Sequence, residues 1–229
     1  MSAAVTVARI YTRGRLETMW PWLVLLISLA VNAAIFAAGQ SIPVRESGGV
    51  VSLFVTLPFA VLQGWKQMLP FVVGLSVTRA DFLRGSLLFF GGQAVLAGVL
   101  LTALGSVERA TRGWGIALEF FQPFFLGDLG VGGRFAVFAS LFACMGALGA
   151  ALAAARTRWG AVGIWIASLG AICILGAIAV GITWANRWQA TLTFLGERGI
   201  LELTVGYPLV AAVILAVGAW AIVRRVPVR

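Results

Sequence analysis

Histidine is absent from this chain of 229 residues, and only eight residues are acidic. Without histidine the chain lacks the commonest general base and metal ligand, so neither catalysis nor metal binding is expected. The two cysteines, Cys144 and Cys173, lie inside apolar segments, which argues against a disulfide or a zinc site. The single lysine, Lys66, belongs to no G-x-x-x-x-G-K-[ST] motif, so we expect no phosphate-binding loop. We therefore predict no catalytic residue, no metal and no cofactor in this chain.

What the chain has instead is long apolar segments. Hydrophobic residues make up 61% of it, and its mean hydropathy is +1.00. Six segments run over about 20–39, 50–75, 85–104, 135–155, 159–183 and 206–223. Each reaches the roughly 20 helical residues that cross a bilayer core. We predict one all-α transmembrane domain over residues 1–229, with six membrane-spanning helices.

The arginines fall into two groups that alternate along the chain. The stretch before the first segment, the stretch after the last and two alternate loops hold ten arginines and two acids, a net charge of +8. The other three loops hold six arginines and six acids, and Lys66 completes the total of +9. Because basic residues beside spans stay in the cytoplasm, we predict that both termini are cytoplasmic. Topology accounts for the basic excess, so no nucleic-acid partner is expected.

Residues 3–18 precede the first span and have an amphipathic pattern. Val7, Ile10 and Tyr11 share one helical face, whereas Arg9 and Arg13 lie on another. Within residues 1–19 this predicts a short helix on the cytoplasmic surface of the membrane. The alternative is a frayed basic tail.

The second apolar segment contains helix-breaking and polar residues. Pro58, Gly64 and Pro70 predict a kinked or interrupted helix. Polar side chains in the spans are candidates for a translocation route: Gln63, Lys66 and Gln67 here, Gln93 in the next span and Asn32 in the first. The alternative is a structural lysine that snorkels to the interface, or that is satisfied by Gln93 and freed carbonyls.

The cytoplasmic loop at 76–86 has an ordered pattern. Thr78 and Asp81 have the T-x-x-D spacing of a capping box, which predicts a short helix beginning near Thr78. We interpret Phe82 and Leu83 as an exposed apolar knob flanked by Arg79 and Arg84, which together would dock a partner. The alternative is an ordinary loop that only sets topology.

Two long outer connections, 105–134 and 184–205, mix aromatic and charged residues. We predict interfacial or shallow re-entrant helices there. The aromatic residues of 120–125 would receive a hydrophobic substrate or, as the favoured alternative, form an ordinary interfacial belt. Gly146, Ala150 and Ala154 form a ladder of small residues that lets helices approach closely.

The stretch LPFVVGLSVTRADFLRGSLLF at 69–89 resembles the junction between the second and third helices of ABC type-2 transporter permeases. The matching residues are Pro70, Gly74, Thr78, Arg79, Phe82 and Gly85. The segment GWGIALEFF at 113–121 and the pair Arg158 and Trp159 are also similar to a bacterial subgroup of that family. Ala80 departs from a frequent arginine, and Lys66 is unusual.

This resemblance implies a permease subunit in a bacterial inner membrane, with its partners. Two permease copies, identical or related, would pair with two separate ATPase chains that hold ATP and magnesium. The 76–86 helix would be the coupling helix, and the complex would export a hydrophobic or amphipathic substrate. The alternative is a channel or a structural membrane scaffold that needs no ATP.

Overall fold

The computed structural model describes residues 3–13, 15–38, 47–74, 77–123, 126 and 129–224. Within them the chain is helical and contains no strand. The helices are α1 Ala3–Arg13, α2 Arg15–Ala38, α3 Val51–Gly74, α4 Arg79–Ala110, α5 Val131–Trp184, α6 Trp188–Gly196 and α7 Tyr207–Val223. A 3-10 turn, Gly48–Val50, precedes α3, and π-helical turns occupy Gly113–Ala117 and Glu202–Gly206. The predicted all-α fold is confirmed.

Five of the described helical segments are long and apolar enough to cross a membrane: Met19–Ala38, Gly48–Leu69, Arg79–Ala110, Val131–Trp184 and Glu202–Val223. The fourth and fifth predicted spans fall together in α5, which has 54 residues. Gly160 interrupts this helix with a left-handed φ of 68° and a ψ of −155°. A Cβ placed on Gly163 would lie 2.5 Å from the carbonyl oxygen of Ala155. Residues eight apart in a straight helix are about 12 Å apart along its axis, so α5 bends sharply at Gly160.

The core forms where α5 packs against α3, α4 and α7, while α2 lies on α3 and α1 lies on α4. Glycines make the closest approaches. A Cβ on Gly149 would lie 2.7 Å from the Pro58 carbonyl oxygen, and one on Gly98 would lie 2.9 Å from the Phe135 ring. Among the glycines of α5, Gly149 lies against α3, whereas a Cβ on Gly146 would have no atom within 4 Å. Side chains without bulk let helix backbones approach closely.

The second span was predicted to be kinked or interrupted, and of these two forms the structure excludes the interruption. Helix α3 continues through Pro58, Gly64 and Pro70. Proline removes one backbone donor, but neighbouring helices can support a membrane helix at such a position. Here Leu57 and Val61, on either side of Pro58, are buried in the core.

The predicted start of a helix near Thr78 is confirmed, but its predicted length is wrong. Helix α4 begins at Arg79 and continues for 32 residues, so the 76–86 segment and the third span form one element. No proline follows Thr78 before Ala110 to end the helix. Within 184–205 the structure has α6 and a π-helical turn. Phe124, Phe125 and Asp128 of the other outer connection, and Ser76 of the loop, lie outside the described residues.

We predict that Gly149→Ala lowers stability and that Gly146→Ala does not. A Cβ at Gly149 meets the α3 backbone, whereas a Cβ at Gly146 has no atom within 4 Å. Both changes carry the same gain in helix propensity, so the difference reports packing alone. Overpacking of this kind costs about 1–3 kcal/mol. Thermal unfolding in detergent measures it, and equal melting temperatures for the two variants would contradict this packing.

Candidate coupling site and polar residues

An aromatic cluster joins α1, α3 and α4 at one end of the molecule. The Phe82 ring meets the Trp65 ring edge-on at a centroid distance of 5.2 Å and lies 6.3 Å from the Tyr11 ring. Tyr11 also stacks on Phe89 at 5.0 Å, and its hydroxyl lies 3.2 Å from the Ser86 hydroxyl. We call Tyr11, Trp65, Phe82, Ser86 and Phe89 the aromatic junction.

The aromatic junction overturns one prediction and supports another. Phe82 is 0% exposed, so the interpretation of Phe82 as an exposed knob is wrong. Its partners, Tyr11 and Trp65, come from other helices, and they bury the ring. Val7 and Tyr11 are buried while Arg9 is exposed, so the helical face predicted for residues 3–18 is confirmed within α1.

Thr78 caps α4 as its spacing predicts. The Thr78 hydroxyl accepts a hydrogen bond from the Asp81 backbone N–H at 3.2 Å and donates one to the Asp81 carboxylate at 2.6 Å. Arg84 lies 3.8 Å from the same carboxylate, and its side chain is 74% exposed. The cap keeps the first turn of α4 ordered while Arg84 remains open to solvent.

Arg79 connects α4 to α7. Its guanidinium donates a hydrogen bond to the Val223 carbonyl oxygen at 3.4 Å, at the end of α7. Arg79 is therefore engaged within the chain rather than serving only as a flanking charge. The exposed residues of this first turn are Thr78, Ala80 and Arg84, which we call the inner turn, while Asp81 and Leu83 are half-buried.

The polar residues predicted to line a route form no hydrogen bond with one another. Gln63, Lys66 and Gln67 are exposed on α3. Asn32 lies elsewhere: it accepts a hydrogen bond from the Ser47 hydroxyl at 2.7 Å and donates one to the Ser28 carbonyl at 2.8 Å.

Gln93 lines an apolar cleft. The cleft is formed by Tyr11, Pro21, Leu57, Ala60, Val61, Gly64, Met68, Phe89, Phe90, Gln93 and Phe142. Apart from the Gln93 amide and the Tyr11 hydroxyl, these side chains are apolar or absent. The cleft adjoins the aromatic junction, with which it shares Tyr11 and Phe89.

A buried carboxylate organises the opposite end of α4, and the sequence analysis did not single it out. Glu108 is 1% exposed. It accepts hydrogen bonds from the Trp114 indole at 3.0 Å, from the Phe120 backbone N–H at 3.0 Å and from the Phe121 backbone N–H at 3.1 Å. These donors hold the 113–121 segment against α4; we call this segment the outer cap. Three directed donors compensate the buried charge.

The outer cap also contacts the start of α3. The Ser47 backbone N–H donates to the Glu119 carbonyl oxygen at 2.8 Å, and Gly49 packs so closely on the Phe120 ring that a Cβ there would clash. Arg112, Trp114 and Ala117 have left-handed φ values between 53° and 58°. The only sequence signal was a glutamate shortly before glycines and a tryptophan, which does not reveal burial.

Among the described residues, no group of three His, Cys, Asp or Glu side chains is placed to hold a metal. The class that the fold supports is an all-helical protein of membrane type, with apolar helices long enough to span. Comparison with protein-family models, with curated proteins and with solved structures gives no match.

We predict that Phe82→Ala destabilises the protein strongly, by about 3–5 kcal/mol, because it empties the centre of the aromatic junction. Arg84→Ala, two residues further on, should change stability little because its side chain is mostly exposed. Thermal unfolding monitored by size-exclusion fluorescence compares the two. Similar melting temperatures for Phe82→Ala and the unmodified protein would contradict the burial of Phe82.

We predict that Glu108→Gln loosens the outer cap at a cost of about 1–3 kcal/mol, because the neutral amide loses the charge that strengthens these bonds and turns an N–H group toward the Phe121 backbone N–H. Glu119→Gln is the matched control, since the Glu119 side chain is exposed and only its backbone is engaged. Limited proteolysis within 112–123 should be faster for Glu108→Gln alone. Equal cleavage rates in both variants would show that the carboxylate does not hold the cap.

Proposed function

We propose that this protein is the membrane subunit of an ATP-driven transporter, a permease of the ABC type-2 class, moved by separate cytoplasmic ATPase chains. The observation that carries the proposal is the start of α4. One side of it presents the inner turn, whereas the other side is locked to α1, α3 and α7. A push on the inner turn would therefore move several helices together, as rigid-body switching requires.

The residues of 78–84 divide into two roles in this proposal. Thr78 and Arg84 contact the ATPase, together with Ala80. Phe82 and Leu83 transmit the displacement into the bundle from their buried and half-buried positions. Arg79 and Asp81 hold the turn through the Val223 carbonyl and the Thr78 hydroxyl.

We further propose six spans with both termini in the cytoplasm. The bend at Gly160 supports a division of α5 into two spans, because it follows directly on Arg156 and Arg158. Basic residues at a turn between spans favour the cytoplasmic side. In this topology α1 lies at the inner surface, while α6 and the outer cap cover the outer face.

The substrate in this proposal is hydrophobic or amphipathic and is exported, with a second copy of the chain or a related permease completing the complex. ATP and magnesium bind to the ATPase partner. The rival function is a channel or scaffold that needs no ATP. Purification in mild detergent discriminates between the two functions. A permease should co-purify with about an equal amount of an ATPase chain, whereas a channel or scaffold should co-purify with none.

We predict that Arg84→Glu sharply reduces stimulation of the partner's ATP hydrolysis. A reversed charge at a docking surface costs binding energy, and a central interface residue contributes about 2 kcal/mol or more. Arg187→Glu is the matched control, an exposed arginine in a connection assigned to the outer side. ATPase activity of the purified complex is the measurement. Full stimulation with Arg84→Glu would remove the inner turn from the ATPase contact.

A further inference from the structure

One face of α3 is unpartnered along its whole length. The exposed residues recur every fourth position: Val51, Val55, Phe59, Gln63, Gln67 and Phe71. A row with this spacing winds around the helix by about 40° per step and stays opposite the buried row of Leu53, Leu57, Val61 and Trp65. Val55, Phe59 and Lys66 lie within about 40° of one another, so they share one face. The row is apolar up to Phe59, polar at Gln63 and Gln67, and apolar again at Phe71.

Lys66 adds a positive charge to the polar part of this face. It is exposed beside Gln63 and Gln67, inside the candidate span Gly48–Leu69. It lies eight residues before the end of α3 at Gly74, about 12 Å along the helix axis. The candidate span itself ends at Leu69, three residues or about 4.5 Å beyond Lys66, so the cation lies near the head-group level, where an anion can face it.

The described part of the chain supplies no such anion. No carboxylate of the described residues forms an ion pair with Lys66. The three acids within the candidate spans have other partners. Asp81 bonds Thr78, Glu108 holds the outer cap, and Glu202 pairs with Arg198 at 3.3 Å. Among the described side chains Lys66 therefore has no counter-charge, and its exposed ammonium is open to an anion that binds to this face.

The dimensions of the face fit an amphiphile. From Lys66 back to Val55 is eleven residues, about 16 Å along the helix. The hydrocarbon half of a bilayer is about 15 Å thick. A hydrocarbon chain lying over Val55 and Phe59 would therefore place a head group beside Lys66. Amide donors of Gln63 and Gln67 supplement its ammonium, and all three suit phosphate or carboxylate oxygens.

We propose that this face of α3 binds an amphiphile with an anionic head group, held by Gln63, Lys66 and Gln67. Val55 and Phe59 contact its hydrocarbon chain. That this amphiphile is the transported cargo rests on the proposed function, but the binding itself does not. The same head-group chemistry occurs on a lipid and on free phosphate, so the test separates the two.

The test is native mass spectrometry of the full-length protein in detergent, titrated with phosphatidylglycerol, with phosphatidylcholine of the same chains and with inorganic phosphate. We expect phosphatidylglycerol to bind about fivefold or more tightly than phosphatidylcholine, as one basic residue near the membrane surface provides. Lys66→Gln should abolish this preference and Lys66→Arg should keep it. Arg187→Gln, at an exposed cation outside α3, should leave the preference unchanged.

Three results would overturn the proposal. The first is an unchanged preference in Lys66→Gln. The second is binding of inorganic phosphate as tight as that of the lipid, which would leave no role for the hydrocarbon chain. The third is disulfide cross-linking of Gln63→Cys between two copies in a background without Cys144 and Cys173, which would mean that a second chain covers this face. The lipid titration contains no ATPase, so it tests binding independently of the proposed function. If the lipid preference is present but the protein does not stimulate an ATPase in the separate activity assay, only the proposed function is refuted.

Discussion

The packing of Phe82 against Tyr11 and Trp65 is the contact on which the start of α4 depends. It fixes the first turn of α4 to α1 and α3, while Arg79 ties the same turn to the end of α7. A close-packed cluster of rings transmits displacement instead of absorbing it. The short surface that remains exposed, centred on Arg84, is thereby connected to helices throughout the bundle.

The two ends of α4 are held by different physics. Apolar rings bury the inner end, whereas at the outer end one carboxylate, Glu108, gathers donors from the outer cap. Hydrogen bonds to a buried charge are directional and are lost together when the geometry changes. The outer cap is therefore held by a few directional bonds to one side chain, whereas the aromatic junction is held by close packing of rings from three helices.

Much of the fold could be predicted from the local sequence pattern. The length of the apolar segments located the helices, and the spacing of Thr78 and Asp81 located the start of α4. Contacts between residues that are distant in the sequence could not be predicted in this way. Phe82 has the sequence context of a loop residue, but distant Tyr11 buries it. In the sequence, Glu108 contributes only to the net charge of a loop. In the structure, the left-handed turn at Trp114 brings hydrogen-bond donors to its carboxylate. Pro58, Gly64 and Pro70 predicted a kinked or interrupted helix, and α3 is not interrupted; Gly149 packs against it at Pro58.

The central claim is that the inner turn faces the cytoplasm and receives work from an ATPase. Its most direct measurement is the labelling of Ala80→Cys with a membrane-impermeant maleimide, in a background where Cys144 and Cys173 are replaced. Arg187→Cys, in a connection assigned to the outside, serves as the control. The account predicts that intact cells label Arg187→Cys only, and that Ala80→Cys reacts once the membrane is permeabilised. Labelling of Ala80→Cys in intact cells would contradict it.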